Sequence, residues 1–311
     1  MKKAKHKVSK IPGGRVRNSL KPGSSRYTKR GSTDKQEWRG GIPPRFGMKR
    51  IEKKFEELAR KGEGALITFA VAGDPSPNET PKIVKAMELG GADIIELGIP
   101  HTDPVADGPI IQKAGLRALS AGTNTDTVIG NVREIRKNSG IPLVILTYYN
   151  PVLQYGVEKF CSEFSMAGAD GIIVADLPVE EAGEVLKYCA RYNLDPIMLV
   201  ARTTPPERIR RLAKVSKGFL YVVSVMGVTG ERKRLSESTP ALIRKVRKYA
   251  KLPLAVGFGI STPEHVKDVL KAGANGAIVG STIVRLIEEK DCISKIEELV
   301  RDLKSSTKIL E

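Results

Sequence analysis

A carboxylate stands in this sequence where apolar residues are expected. In ADIIELGIP (92–100) Glu96 interrupts an otherwise apolar run, and an ionised carboxylate in such a setting is costly unless it is paired or neutralised. Two outcomes are open. A Lys or Arg from elsewhere pairs with it, and Glu96 is a structural core residue. Alternatively, burial raises its pKa and makes it a proton donor or acceptor near neutrality. The residues that follow favour the second. ELGIPHTDPVADGP (96–109) adds Asp103 and Asp107 without a Lys or Arg, and Gly98, Pro100, Pro104, Gly108 and Pro109 shape it as a loop. Asp107, eleven residues after Glu96, can fold back over that residue. Two carboxylates in different surroundings are suited to general acid–base chemistry.

Small residues gather after the last apolar runs, in GVTG (227–230), GFG (257–259) and GS (280–281). Glycines let backbone N–H groups approach an anion closely. Ser281 also reads as the opening residue of a helix, whose positive end would face that anion. Glycine at such places is also ordinary turn chemistry. Phe69, Tyr148, Tyr221 and Phe258 lie near the ends of their runs. Any one of them reads as core filling; together they suit a flat apolar ligand with a phosphate at one end. His6, His101 and His265 carry little, His265 opening an expected surface helix. With cysteines out of register as well, no metal site is expected, and no P-loop or dinucleotide fingerprint is present.

The elements that must position these residues follow from the apolar pattern. MKRIEKKFEELARKG (48–62) places Ile51, Phe55, Leu58 and Ala59 at helical spacing, which predicts a helix with an apolar face. Eight apolar runs then alternate with amphipathic stretches. The runs are 65–73, 92–100, 142–150, 171–178, 195–201, 219–225, 253–261 and 276–284. Each is β-branched, almost continuously apolar and bounded by Gly, Pro or Asp, as expected of strands buried on both faces of a parallel sheet. Gly90, Gly168 and Gly273 fall near helix ends, where a positive φ is needed. Eight strand–helix units in about 240 residues are the count and length of a (β/α)₈ TIM barrel, here with an N-terminal helix before the first strand. An open doubly wound sheet is the alternative.

The net charge of +17 belongs to the N-terminus. Residues 1–47 hold 14 of the 52 Lys+Arg and two of the 35 Asp+Glu, a net of +12. Residues 48–311 carry 38 against 33, a net of +5. The sequence thus divides into a disordered basic tail (1–47), rich in Gly, Ser and Pro, and a barrel domain (48–311). The tail lacks the apolar core of a secretory signal. No apolar run approaches the ~18 residues that span a bilayer, so no membrane role is expected. Cys161, Cys189 and Cys292 are too few and too scattered for a disulfide framework, consistent with a reducing cytoplasm. Nucleic-acid binding is expected only weakly, through the tail, and would vanish with salt.

These segments resemble the tryptophan synthase α family. FAVAGDP (69–75), ELGIPHTDPVADGPIIQKAGLRAL (96–119), TYYNPV (147–152), DGIIVADLPVEEA (170–182), TTPPERI (203–209), YVVSVMGVTGER (221–232), VGFGISTPEHV (256–266) and AIVGSTIV (277–284) carry the match, in family order across essentially all of 48–311. The resemblance implies a cytoplasmic lyase that cleaves indole-3-glycerol phosphate to indole and glyceraldehyde-3-phosphate. It implies Glu96 and Asp107 as catalytic residues and Gly230, Gly259, Gly280 and Ser281 as phosphate-binding. It implies Phe69, Tyr148, Tyr221 and Phe258 as the indole pocket, and Thr229 as part of a mobile loop. No cofactor is implied in this subunit; pyridoxal phosphate belongs to a partner β subunit, in an αββα tetramer, which receives the indole.

Two features depart from the family. His101-Thr102 stands where the family more often has Phe-Ser, in a loop expected to touch the β subunit. The basic tail has no family counterpart, and Met48 stands where a member would begin. The tail reads as an over-extended start or as a disordered polyanion-binding appendage, the first being preferred. A different phosphate-binding barrel would be expected to carry a lysine at a strand end, which these runs lack.

Overall fold

A computed structural model describes residues 49–224, 238–257 and 259–308. The tail, Thr229, Gly230 and Phe258 lie outside the described residues. The strands are β1 (Ala65–Val71), β2 (Ile94–Gly98), β3 (Leu143–Thr147), β4 (Gly171–Val174), β5 (Asp195–Pro196), β6 (Leu199–Ala201), β7 (Leu220–Val223), β8 (Leu254–Gly257) and β9 (Gly276–Val279). All pair in parallel, in the order β5-β4-β3-β2-β1-β9-β8-β7-β6.

The two ends of this sheet are pieces of one chain segment, and that closes the (β/α)₈ barrel. The run 195–201 was expected as a single strand. Its first half bonds to β4, with Ile197 N donating to Ile172 O at 2.9 Å. Its second half turns to β7, with Tyr221 N donating to Met198 O at 3.0 Å. The other strands begin within two residues of the expected positions and end sooner, because the apolar runs continue into buried turns and helices. Tyr149–Tyr155 and Ser281–Leu286 are helical.

Both faces of each strand are buried, by different partners. One set of side chains, including Ile67, Ile94, Val144, Ile173, Tyr221 and Ile278, fills the barrel. The alternate set packs under the surrounding helices. Helix Arg50–Arg60 plugs the barrel floor with Ile51, Phe55 and Leu58, each contributing about 1.5–3 kcal/mol by burial. Ala59, expected on that face, is exposed. Lys49–Asp195 (2.6 Å) and Arg50–Asp170 (2.7 Å) tie the start of this helix to the floor. These carboxylates serve stability, as residues at the N-terminal end of a barrel generally do.

The three glycine readings divide two to one. Gly168 and Gly273 have φ of +105° and +100°, as expected, but Gly90 has φ −68°. The turn is made by Gly91 at φ +102°. Gly90 is instead required for packing, since a Cβ there would lie 2.7 Å from Val300 Cβ and from the Glu297 carbonyl. His265, expected on a surface, is 4% exposed, with its N–H capped by Thr262 Oγ1 at 3.3 Å.

Candidate active site

Glu96 lies on β2 in register with Phe69 of β1 and Val144 of β3. It points inward near the C-terminal mouth, the end of a TIM barrel that carries chemistry. The residue is fully buried, and among the described residues neither carboxylate oxygen has a hydrogen-bond partner. No Lys or Arg pairs with it among the described residues, so the reading of Glu96 as half of a structural ion pair is set aside. Burial pushes its pKa up to about 8, because water no longer solvates the charge and nothing replaces it. At neutral pH the group is a carboxylic acid holding a proton.

Asp107 follows from the loop after β2. The chain leaves the barrel at Ile99, whose N–H reaches Leu146 O at 2.9 Å, and turns back where Asp107 N meets Pro104 O at 3.1 Å. Helix Pro109–Ser120 then starts with Pro at its first turn, a residue pre-set for that position. Burial raises the Asp107 pKa, opposed by a hydrogen bond from Tyr148 and by the charge of His101. The same loop is clasped from β3: Tyr148 Oη accepts the Ala106 N–H at 3.1 Å.

Glu96 and Asp107 line one cavity of about 250 Å³ with Phe69, Tyr221, Gly259, Gly280 and Ser281. Leu146, Leu199, Ile278 and Ile111 complete much of its apolar wall. Sequence reading missed these four. For Leu146, Leu199 and Ile278 the only signal is the two-residue phase set by inward neighbours, and a run that is apolar on both faces conceals that phase; Ile111 comes instead from the helix Pro109–Ser120. Tyr148 is not on this wall. It stands behind the loop in a small hollow shared with His101 and Asp107.

The strand-end glycines have a role that anion binding alone would not require. A Cβ on Gly98 would lie 2.8 Å from the Phe69 ring, and one on Gly280 would lie 3.2 Å from it. A Cβ on Gly257 would lie 2.3 Å from Tyr221 Oη. The rings of Phe69 and Tyr221 are therefore seated against positions that only glycine leaves open. Burial, Glu96 and Asp107 together raise the Tyr221 pKa well above its ordinary value, so its phenol keeps its proton. The helix after β9 begins at Ser281 as expected, with Gly280 at its N-cap. Among the described residues no group of three or more His, Cys, Asp or Glu side chains could hold a metal ion.

A closed parallel barrel with a cavity at its C-terminal mouth, lined by a buried carboxyl group and a second carboxylate, has the architecture of a (β/α)₈-barrel enzyme. Residues 55–309 match the family model described as "Tryptophan synthase alpha chain". The chain is 50% identical over 260 residues to the tryptophan synthase alpha chain of Methanosarcina barkeri, covering 83% of this chain and 97% of that relative. The solved tryptophan synthase subunit alpha of Legionella pneumophila superposes with a TM-score of 0.79 at 35% identity, covering 85% of this chain and 100% of that one. A structure from Pyrococcus furiosus, described as a tryptophan synthase α2β2 complex, gives a TM-score of 0.74 at 38% identity, over 78% of this chain and 98% of that one. The chain belongs to the tryptophan synthase alpha chain family. Membership makes it a carbon–carbon lyase that cleaves indole-3-glycerol phosphate to indole and glyceraldehyde-3-phosphate.

Proposed function

We propose that Glu96 and Asp107 divide this cleavage between them, Glu96 moving the protons and Asp107 holding the indole nitrogen. The observation that carries the reading is the Glu96 carboxyl, fully buried, without a hydrogen-bond partner among the described residues, on the wall of the cavity at the barrel mouth. Protonation of indole C3 by Glu96 converts the ring to an indolenine, an electron sink. Loss of the side-chain hydroxyl proton, returned to Glu96, then makes the aldehyde as the carbon–carbon bond breaks. The bonding pair flows back into the ring and regenerates indole. The Asp107 carboxylate accepts the indole N–H and stabilises the positive charge that develops there. The indolenine itself supplies the electron sink, so the bond-breaking step asks nothing further of a cofactor.

The indole ring is assigned to the apolar wall formed with Phe69 and Tyr221. The phosphate is assigned to the small residues at Gly259, Gly280 and Ser281, where backbone can approach an anion closely. Glu96→Gln tests the scheme. The variant folds, and indole release from indole-3-glycerol phosphate falls by ~10²–10⁴, the usual worth of general acid–base catalysis. Turnover within about threefold of the parent would remove Glu96 from this role.

A β subunit is the assigned partner, in an αββα assembly, by analogy with the Pyrococcus furiosus α2β2 complex. The loop between β2 and its helix is the segment assigned to it, since Val105 is 82% exposed and Asp103 is exposed beside it. Pyridoxal phosphate is assigned to that partner. Among the described residues no helix is long and apolar enough to cross a membrane.

A further inference from the structure

His101 departs from the residue type more often found in this family, and its place in the fold gives the departure a consequence. Its ring packs on Tyr148 with centroids 5.4 Å apart and planes tilted by 32°. Tyr148 is 2% exposed, and its hydroxyl both receives the Ala106 N–H and donates towards the Asp107 carboxylate. A hollow of about 10 Å³ bounded by His101, Asp107 and Tyr148 remains beneath the loop. That is room for about one water molecule. An ionisable ring has therefore been built into the support of a catalytic carboxylate.

We propose that His101 is a positioning residue for Asp107: resting on Tyr148 at the edge of the hollow that all three residues line, its ring in the imidazolium form favours the carboxylate form of Asp107. The inference rests on the assignment of Asp107 to the indole nitrogen. Among the described residues the titratable groups around the hollow are Asp107 and Tyr148. Asp103, on the same loop, is engaged by the Thr102 hydroxyl at 2.6 Å. Asp176, from the turn after β4, accepts the Tyr149 N–H at 2.7 Å and acts electrostatically on Tyr148. Burial raises the Asp107 pKa, whereas the Tyr148 hydrogen bond and the His101 charge lower it. An aromatic hydrocarbon at 101 would keep the stacking and lose the charge.

The test is the pH profile of kcat for indole release by the full chain, compared among the parent, His101→Phe and His101→Lys. In the acid limb imidazoles are charged, so removing that charge lets Asp107 take up its proton at higher pH. His101→Phe is expected to move the acid limb up by about half a pH unit with KM for indole-3-glycerol phosphate unchanged. His101→Lys, which restores a cation, returns the limb towards the parent. A purely structural role would scale kcat at every pH and leave the limb in place. An unmoved limb in His101→Phe, or a limb that moves identically in His101→Lys, overturns the proposal. Asp107→Asn separates this failure from that of the underlying assignment. If Asp107→Asn retains activity, the role given to Asp107 is wrong. If it abolishes activity while the His101→Phe limb stays put, only the His101 inference falls.

Discussion

Glu96→Gln should stabilise the folded chain at alkaline pH while it inactivates the enzyme. The Glu96 pKa is raised from 4.5 to about 8 in the folded state by burial alone. A carboxyl whose folded pKa lies above its unfolded value binds its proton more tightly when folded. Below pH 4.5 both states are protonated and the group contributes no penalty. Between pH 4.5 and 8 the unfolded chain has released the proton and the folded chain has not, so stability falls by about 1.4 kcal/mol per pH unit. The difference of 3.5 units, 8 minus 4.5, sets a full penalty of about 5 kcal/mol above pH 8, of which about 3 kcal/mol is already present at pH 7.

Glutamine keeps the shape and a neutral polar head but cannot ionise. Its unsatisfied amide costs something at every pH, so the pH dependence of the difference is the decisive quantity. Urea unfolding followed by circular dichroism at pH 5, 7 and 8 should show Glu96→Gln gaining about 3 kcal/mol on the parent between pH 5 and 8. A gain that varies by less than about 1 kcal/mol over that range would mean that Glu96 is ionised in the folded protein. The proton-donor argument would then fail.

Three further outcomes are expected. Ser281→Asp places a carboxylate where the substrate phosphate is assigned, so calorimetry should show lost affinity for glycerol phosphate with indole binding largely intact; equal loss of both would contradict a separate phosphate subsite. Asp103→Lys should reduce activation by a β subunit more than the basal lyase rate, and unchanged activation would take this loop out of the interface. Arg117→Met removes the guanidinium whose Nε and Nη2 each lie 2.8 Å from the fully buried Asp74 carboxylate; leaving that charge unpaired should cost about 3 kcal/mol in denaturant unfolding, and a change under about 1 kcal/mol would mean that solvent reaches Asp74.

Glu96 was legible as a candidate because a carboxyl group inside an apolar run must be either paired or neutralised, and the structure decided between these by leaving it without a Lys or Arg partner among the described residues. The loop holding Asp107 was legible because its glycines and prolines cannot extend either neighbouring element. Eight runs with intervening helices indicated the barrel by their number and span, but an open doubly wound sheet buries both strand faces as well, and only closure at Asp195–Ala201 separated the two. Tertiary structure alone decided which residues face inward. In strands apolar on both sides the two-residue phase leaves no trace, so Leu146, Leu199 and Ile278 emerged as cavity lining only once the strands were in register. Closure at Asp195–Ala201 depends on where two distant strands fall, and no local pattern marks the change of partner between its halves. Tyr148 looked like pocket lining from its place at a strand end. It turns instead to the loop, because the Ala106 N–H and the Asp107 carboxylate offer its hydroxyl the partners that a buried phenol needs.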